Sequence, residues 1–581
     1  MSQFLNFWPF FMPLAFYMFL YPRDRFSLTS EKFDLEYDYI VVGAGSAGAV
    51  VASRLSEDPR VTVLLLEAGG KENIVTDIPV AAAMIQKTPL DWAYQTEPQD
   101  AACFGHINRV RFGDYGAYGW NWKEVFPYFL KSEDNRDPSI ANNGYHGKGG
   151  YLTVSTPPYT TPLAHAFVAG GHSLGYPNID LNGPIQTGFA IPQGTIRRGS
   201  RCSTSKAFLK PTKGRPNIDI VIFAFATKIL FDENLIARAI QFDRLGLPHT
   251  VYARKEIILS AGTINTPQLL MLSGIGPKDH LLKLGIPVLA DLPVGLNLQD
   301  HIYPGVLSYL VNQPVSAVQS RIFTAENIFR YFAFSDGPLT LLGGVEGLGF
   351  IKTKYVNSSD DFPDVEIHFL SGSYGADAGH VFRGSQGIND ELWQKVYLEY
   401  LEKDSFSLFP VLLRPKSRGF IKLRSSNPYD PPIIDPRYLT DERDVFTIVD
   451  SLKICLALGD TPAFRKYGAR INPNVFPGCE GYIQWSDEYL ACLARTITST
   501  IYHPVGTCKM GDPRDPTTVV DPQLRVKHVK SLRVVDGSVM PTIVSGNTNA
   551  PIIMIAEKAS DMIRGIRSVF AQRGLLKKSE I

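Results

Sequence analysis

The chain has 581 residues, which exceeds the length at which a single hydrophobic core stops growing, so two domains or one large composite fold are expected. It is 44% hydrophobic and 20% charged, with 49 Gly and 41 Pro, which is an ordinary globular composition. The mixture of Gly/Pro-rich turns with helical and strand-like segments favours an α/β or α+β enzyme. The formal net charge is +1 and the body of the chain has no long basic run, which argues against nucleic acid or an anionic membrane surface as the main partner.

The N-terminal segment is almost wholly apolar over residues 4–21, and Arg23 and Arg25 follow it. This pattern is typical of a secretory signal, although a basic start and a small-residue cleavage site are missing. We expect residues 1–22 to be the signal peptide of a secreted protein. A membrane anchor is the alternative, and an intracellular protein with an unusual leader is the third. Membrane contact is expected only through this segment, if it is not cleaved. A single sequon at Asn357 is compatible with secretion.

The first predicted structural unit is a strand, a glycine turn, a helix and a second strand. Residues 37–42 are β-branched and aromatic, as in a buried strand, and they lead into a glycine turn at residues 43–48. The small and apolar residues 49–55 suit a helix packed on a sheet. The second strand, residues 61–66, ends at Glu67, whose carboxylate can accept hydrogen bonds from the hydroxyls of a ribose.

The glycine turn predicts a dinucleotide-binding site. Gly43 allows the tight turn, Gly45 lets the backbone approach a pyrophosphate, and Gly48 lets the helix sit close to the strand. Ser46 and Ala47 lie between the last two glycines, where the start of the helix presents N–H groups to the phosphates. A glycine turn alone is weak evidence, but one with the correct strand, helix, strand and acidic residue is strong. It does not separate NAD from FAD.

The six cysteines do not predict a metal site. None forms a Cys-x-x-Cys pair, and none has a histidine at zinc-ligand spacing. Cys479 and Cys492 flank one short, loop-like stretch. Two interpretations stay open for this pair, a small disulfide in an oxidising compartment or two buried thiols.

Several segments resemble the glucose–methanol–choline (GMC) oxidoreductase family, and the resemblance extends from about residue 36 to residue 567. The segments that carry it are Gly262–Gly276, Pro293–His301, Tyr502–Met510, Leu532–Pro541 and Ser545–Pro551. Two further stretches look most like the insect branch of the family, which includes FAD-dependent glucose dehydrogenases and ecdysone oxidases. They are Ser132–Asp137 and Arg197–Ser205.

The resemblance implies an α/β (α+β composite) fold with two interleaved parts. A Rossmann-like FAD-binding domain would be discontinuous, formed by residues 36–115, 195–300 and 500–570. A substrate-binding domain on an antiparallel sheet would be formed by residues 116–194 and 301–499.

The resemblance also implies FAD as the cofactor. On that basis Asp536 and Gly537 would contact the flavin end, Asn549 would lie beside the isoalloxazine, and the backbone near Ala226 would meet the adenine. The alternative interpretation, an NAD-dependent dehydrogenase, is supported only by the glycine turn. The segments that resemble the GMC family count against it.

The implied reaction is the oxidation of a small-molecule alcohol by hydride transfer to FAD. His503 matches the family's catalytic histidine, and an imidazole suits the removal of a hydroxyl proton near neutral pH. Asn547 matches its partner position, where an amide can hold the substrate hydroxyl and stabilise a developing alkoxide. His301 follows Asp300 in another family segment and is interpreted as structural. The insect-like features favour a quinone over oxygen as electron acceptor, and a sugar, a steroid, a fatty alcohol and a choline-like amine stay open as substrates.

One family segment is missing from this sequence. Members of the family carry a loop with a Gly-Gly-Ser-Ser centre that packs against the flavin and the pyrophosphate, whereas this chain lacks it between about Gly105 and Asn108. Its loss would remove N–H donors to the phosphates and would admit water. The alternative to an active oxidoreductase is therefore an impaired or non-catalytic protein with the GMC fold.

Overall fold

The computed structural model describes residues 28–104, 120–357 and 359–566. The predicted signal peptide or anchor at residues 1–22 and the predicted missing loop near Gly105–Asn108 lie outside these ranges. Within them, no helix is long and apolar enough to cross a membrane.

Short strands alternate with helices along the whole of the described chain. The strands are β1 (Glu36–Val42), β2 (Val63–Leu66), β3 (Glu133–Asn135), β4 (Leu152–Val154), β5 (Gly188–Ala190), β6 (Ile196–Arg197), β7 (Ser200–Arg201), β8 (Ile218–Val221), β9 (Ala224–Phe231), β10 (Ala237–Arg244), β11 (Leu247–Leu259), β12 (Ile275–Gly276), β13 (Ala290–Asp291), β14 (Leu296–Leu298), β15 (Ile302–Pro304), β16 (Leu307–Leu310), β17 (Val345–Ile351), β18 (Val365–Leu370), β19 (Ser405–Leu412), β20 (Gly419–Lys422), β21 (Ile433–Asp435), β22 (Arg470–Ile471), β23 (Thr498–Thr500) and β24 (Leu532–Val534). The α-helices are α1 (Ser46–Leu55), α2 (Ile74–Asp77), α3 (Trp122–Ser132), α4 (Pro162–Ser173), α5 (Gly262–Leu272), α6 (Lys278–Lys283), α7 (Gln319–Ile322), α8 (Ala325–Phe334), α9 (Phe382–Gln386), α10 (Asp390–Leu392), α11 (Glu442–Gly459), α12 (Pro462–Arg465), α13 (Asp487–Thr496) and α14 (Asn549–Ile563).

The first large sheet contains the glycine turn. Its strand order is β8-β2-β1-β11-β10-β9, and β24 also pairs with β11. The pairs β8–β2, β2–β1, β1–β11 and β11–β24 are parallel, whereas β11, β10 and β9 form an antiparallel meander. All but the first residue of β1 are buried, which explains why its sequence is continuously apolar or aromatic, as in a parallel strand covered on both faces. The carboxyl ends of the parallel strands meet at one edge of the sheet.

The predicted order of strand, turn, helix and strand is confirmed. The observed β1 begins one residue before the predicted strand, and β2 begins at Val63, two residues after the predicted start. The helix α1 is buried over nearly its whole length because its small residues allow it to lie against the sheet.

Charged groups in the interior join α1 to the helices that pack on it. The Arg54 guanidinium of α1 donates to both oxygens of the Glu557 carboxylate of α14, with hydrogen bonds of 3.1, 2.9 and 2.7 Å. Lys131 of α3 lies 3.1 Å from Glu557 and 3.0 Å from Asp561. Because the Glu557 side chain is fully buried, replacing Glu557 by an apolar residue would take this carboxylate from both Arg54 and Lys131. Breaking a buried ion pair in this way typically lowers the free energy of unfolding by about 3–5 kcal/mol. These contacts fix α1, α3 and α14 relative to one another.

The second large sheet has the strand order β22-β16-β19-β18-β17-β5, and β15 pairs with both β19 and β23. Its pairings are antiparallel. The α/β composite fold class, with a Rossmann-like part and an antiparallel substrate part, is thereby confirmed. The residue boundaries of the two domains stay a prediction.

Of the two interpretations of Cys479 and Cys492, the disulfide is the correct one. The two residues are bonded, with 5.8 Å between their Cα atoms. The bridge joins the loop before α13 to the helix itself. The bond closes a short loop, so it restricts the unfolded chain only over the residues between the two cysteines.

Candidate active site

A cleft of about 400 Å³ opens where the parallel strands of the first sheet end. The residues that follow β1, β2, β11 and β24 all line it, as expected for a ligand site at the carboxyl ends of such strands. The predicted cofactor-binding residues that line it are Gly43, Gly45, Ser46, Ala47, Glu67, Ala226, Asp536 and Gly537. The other two lie directly against lining residues. Gly48 packs on Gly43, and Asn549 accepts a hydrogen bond from the Ser46 hydroxyl at 2.6 Å.

Each glycine of the turn has its own steric role. Gly43 has φ +99°, and a Cβ there would lie 2.4 Å from the Ser260 carbonyl oxygen. A Cβ on Gly48 would lie 1.7 Å from the Gly43 carbonyl oxygen, so any side chain would push α1 away from the turn. A Cβ on Gly45 would meet no described atom within 4 Å. Gly45 borders the cleft, so a methyl group there would project into space that a ligand needs.

Three helices begin at this cleft. Ser46 of α1, Gly262 of α5 and Thr548, which precedes α14, line it. In the described chain, the residue that precedes each of these three helices makes no side-chain cap, and Asp536 accepts from the first N–H of α5 at 2.9 Å. Backbone N–H groups and the positive ends of the helix dipoles therefore converge on the cleft, an environment that suits a doubly charged pyrophosphate.

The Glu67 carboxylate joins the turn to the chain after β2. Its Oε2 accepts a hydrogen bond from the Ala44 N–H at 2.7 Å, and its Oε1 accepts one from the Gly69 N–H at 2.6 Å. Each oxygen keeps a further lone pair, so the carboxylate can also accept from sugar hydroxyls. Its place at the cleft wall fits the predicted contact with a ribose.

The side chain of Asp536 connects two segments of the chain at the cleft. Its Oδ2 accepts hydrogen bonds from the Gly262 N–H at 2.9 Å and the Thr266 hydroxyl at 2.6 Å, and its Oδ1 accepts from Ser538. Burial raises the pKa of this carboxyl, while these donors oppose the increase. The carboxylate thus holds the start of α5 against the end of β24. Contact of Asp536 and Gly537 with the flavin stays a prediction.

The two predicted catalytic residues lie close together. The Nδ2 atom of Asn547 is 3.4 Å from the Nε2 atom of His503. His503 is 8% exposed and lies between Tyr502 and Pro504, both of which line the cleft. Its backbone N–H donates to the Asp300 carboxylate at 2.8 Å, which fixes the loop that carries the imidazole.

The His503 ring is buried against a second imidazole. Its Nδ1 atom lies 3.0 Å from the Nδ1 atom of His301. The contact follows from strand pairing: β15 and β23 are antiparallel, so the residue before β15 comes beside the loop after β23. Burial, followed by the nearby His301 and His368, lowers the pKa of His503 well below its ordinary value. At neutral pH the ring is uncharged and has one lone pair with which to take a proton.

Sequence reasoning missed the support of this histidine. Asp300 and His301 received no chemical role, although the segment Pro293–His301 resembles the family as clearly as the catalytic segment does. The side chain of Trp92, which lines the cleft, was also missed because no local motif marks it. Tyr502 lines the cleft as well, and it received no role although it begins the family segment Tyr502–Met510.

Comparison with known proteins agrees with this geometry. Residues 113–303 and 415–556 match the GMC oxidoreductase family. The chain is 37% identical to the glucose dehydrogenase [FAD, quinone] of Drosophila melanogaster over 91% of this chain and 87% of that protein. It is 38% identical to the alcohol dehydrogenase [acceptor] of Pseudomonas putida, over 91% and 95% of the two chains. The chain belongs to the GMC oxidoreductase family.

Solved structures agree as well. The crystal structure of pyridoxine 4-oxidase from Mesorbium loti matches with a TM-score of 0.74 and 28% identity, over 91% of this chain and 99% of that one. FAD is the cofactor of this oxidoreductase, and its reaction is the oxidation of a CH–OH group. The non-catalytic alternative is not favoured. The glycine turn, the three helix N-termini and Glu67 fit the diphosphate and ribose of that cofactor.

We expect Gly45→Ala and Gly48→Ala to separate cofactor binding from folding. Gly45→Ala should keep the thermal stability of the wild type but lose FAD affinity by about tenfold or more, because its methyl group enters the cleft. Gly48→Ala should lower the melting temperature itself. Visible absorbance after gel filtration and thermal unfolding measure the two effects. Equal loss of stability in both variants would contradict the distinct roles given to the two glycines.

Proposed function

We propose that His503 is the general base of the alcohol oxidation. The observation that carries this proposal is the position of its Nε2 atom, 3.4 Å from the Asn547 amide and on a loop that borders the cofactor cleft. The lowered pKa supports it, because a neutral imidazole can accept the hydroxyl proton at neutral pH. FAD, when bound, accepts the hydride from the carbinol carbon.

Asn547 is proposed to hold the substrate oxygen. Its side-chain amide is exposed, and it donates hydrogen bonds through Nδ2. As the hydroxyl proton moves to His503, negative charge develops on the substrate oxygen, and an N–H donor at this point stabilises it. An amide, unlike a second imidazole, does not compete for the proton.

The cofactor contacts follow the cleft. The turn residues Gly43–Gly48 would receive the pyrophosphate and Glu67 the ribose, while Ala226 would border the adenine. Asp536, Gly537 and Asn549 would lie at the flavin end. Their support is the convergence of three helix N-termini on one cleft that these residues line or flank.

The electron acceptor is proposed to be a quinone. One relative of this chain is a glucose dehydrogenase named for FAD and quinone. The substrate is proposed to be a small alcohol of the sugar or simple alcohol class, as the names of these relatives indicate.

Secretion is proposed as the location. The Cys479–Cys492 disulfide supports it, because such bonds persist in oxidising compartments. Asn357, the acceptor of the sequon, is exposed, as glycosylation requires. The signal peptide at residues 1–22 stays a prediction.

The role of His503 is tested by His503→Ala, which we expect to bind FAD normally. The rate of flavin reduction by alcohol should fall by about 10²–10⁴-fold, since the base is gone while the cofactor site is intact. Stopped-flow absorbance measures this rate, and His172→Ala, which removes an exposed helical imidazole, is the matched control. A His503→Ala enzyme that reduces its flavin at the wild-type rate would disprove the assignment.

The pH dependence gives a second test of the same base. The pKa of His503 lies well below 6.5, so the residue is deprotonated at and above this pH. We expect kcat/KM to be level from about pH 6.5 through neutrality and to fall only in more acidic solution, where protonation removes the lone pair. A fall of kcat/KM toward acidic pH with its midpoint above pH 7 would contradict the conclusion that burial lowers the pKa of His503.

The acceptor is tested by reoxidation. Enzyme reduced with alcohol under anaerobic conditions should return to the oxidised absorbance much faster with 1,4-benzoquinone than in air-saturated buffer. Stopped-flow mixing measures both rates. Rapid reoxidation by oxygen, with peroxide formed in equal amount, would assign the enzyme to the oxidases.

Secretion is tested in a eukaryotic secretory host. Protein recovered from the medium should lose the mass of one glycan on enzymatic deglycosylation, and Asn357→Gln should abolish this shift. Asn234→Gln, an exposed asparagine outside any sequon, should leave it unchanged. Unglycosylated protein retained inside the cells would rule the location out.

A further inference from the structure

The His503 imidazole has a neighbour at each ring nitrogen. On the cleft side the Asn547 Nδ2 atom lies 3.4 Å from His503 Nε2. On the interior side the His301 Nδ1 atom lies 3.0 Å from His503 Nδ1. A neutral imidazole carries one proton, so each contact requires a particular ring nitrogen to be the donor or the acceptor.

The outer contact of His301 decides which of its nitrogens carries hydrogen. His301 Nε2 lies 3.1 Å from the carbonyl oxygen of Leu413, and a carbonyl can only accept. The Val544 carbonyl also lies near this ring. Full burial, opposed by the charge of Glu366, lowers the pKa of His301 to about 4. The ring is therefore neutral at pH 7, its single hydrogen is on Nε2, and its Nδ1 is an acceptor.

This arrangement determines the tautomer of His503. Since His301 Nδ1 accepts, His503 Nδ1 must donate, and the lone pair of His503 is left on Nε2. The Asn547 contact agrees independently, because Nδ2 of an amide is a donor and needs an acceptor at His503 Nε2. Hydrogen bonds thus run in one direction from Asn547 through His503 and His301 to the Leu413 carbonyl.

We propose that His301 is a positioning residue that holds His503 in the tautomer with its lone pair on Nε2, facing Asn547 and the cleft. The proposal rests on the proposed role of His503 as the base. Without an acceptor at His301 Nδ1, His503 would distribute its proton between both nitrogens, and part of the population would point an N–H at the substrate instead of a lone pair.

The same contact supports the charged state that follows proton transfer. When His503 takes the hydroxyl proton on Nε2, its Nδ1–H still donates to His301, and this hydrogen bond becomes charge-assisted. His301 need not change its own protonation. The other ionisable groups around the pair are Asp300, which accepts from the His503 backbone, and the buried Glu366 and His368, which lie 3.3 Å apart.

The tautomer is measurable without turnover. In protein with ¹⁵N-labelled histidine, the His503 resonances are those that disappear in His503→Ala. Above pH 7 we expect a protonated, pyrrole-type Nδ1 and an unprotonated, pyridine-type Nε2, both in the holoenzyme. His503 with its proton on Nε2 would overturn the proposal. This result does not depend on alcohol oxidation, so it stays decisive if the proposed function fails.

Two substitutions then test the consequence for the reaction. His301→Leu fills the space but removes the acceptor, and we expect kcat to fall on the order of 100-fold with KM and FAD content little changed. This is less than the ~10⁴-fold loss caused by a fully reversed tautomer. His301→Asn places an oxygen near the position of Nδ1 and should recover most of the loss.

His280→Leu is the matched control, because its imidazole accepts a backbone hydrogen bond from Leu423 away from this pair. Its kcat should equal that of the wild type. A His301→Leu enzyme with wild-type kcat, or a His301→Asn enzyme as slow as His301→Leu, would overturn the positioning role. If His301→Leu does not fold, the ¹⁵N spectrum of the wild type and the His301→Asn rate decide.

Discussion

The contact between the glycine turn and α1 is the constraint on which the cofactor site depends. At Gly48 there is space for a hydrogen atom and no more, because a Cβ would lie 1.7 Å from the Gly43 carbonyl oxygen. This approach brings the uncapped start of α1 to the edge of the sheet, next to the starts of α5 and α14. Buried ion pairs from Arg54 and Lys131 to Glu557 hold the helices in that arrangement. A phosphate site formed by backbone needs such rigidity, since its donors cannot adjust individually.

The proposed catalytic pair, His503 and Asn547, depends on the other sheet. Pairing of β15 with β23 places His301 beside His503, and Asp300 holds the backbone of the same loop. Burial keeps His503 neutral, as its proposed role as a base requires, and it also removes the water that would otherwise satisfy both ring nitrogens. Protein groups must therefore satisfy both nitrogens. The direction of those hydrogen bonds determines which nitrogen of His503 carries the lone pair. The first sheet supplies the cofactor cleft and the second positions His503, the proposed proton acceptor.

The sequence predicts the first sheet better than the second for a physical reason. The turn at Gly43–Gly48 and the strands beside it are encoded locally, by β-branched residues, glycine spacing and the acidic Glu67. The His301–His503 contact joins residues 202 positions apart, and strand pairing over that distance leaves no local pattern. Asp536 shows a related difficulty: its place at the cleft follows from family resemblance, but only the structure shows that protein donors occupy its carboxylate.

The contacts that complete the cleft join the two ends of the described chain, so they can form only late in synthesis. Ser46 bonds to Asn549 and Arg54 to Glu557, and each pair is separated by 503 residues. At roughly 5–20 residues per second, about 25–100 s pass between translation of the two members. Throughout that interval α14 does not yet exist, so Ser46 lacks Asn549 and Arg54 has only the nearby Glu57 carboxylate as a partner. A chain released before Thr548 and α14 are translated lacks two of the residues that line the cleft, Thr548 and Ile552, so the cofactor would meet an incomplete site.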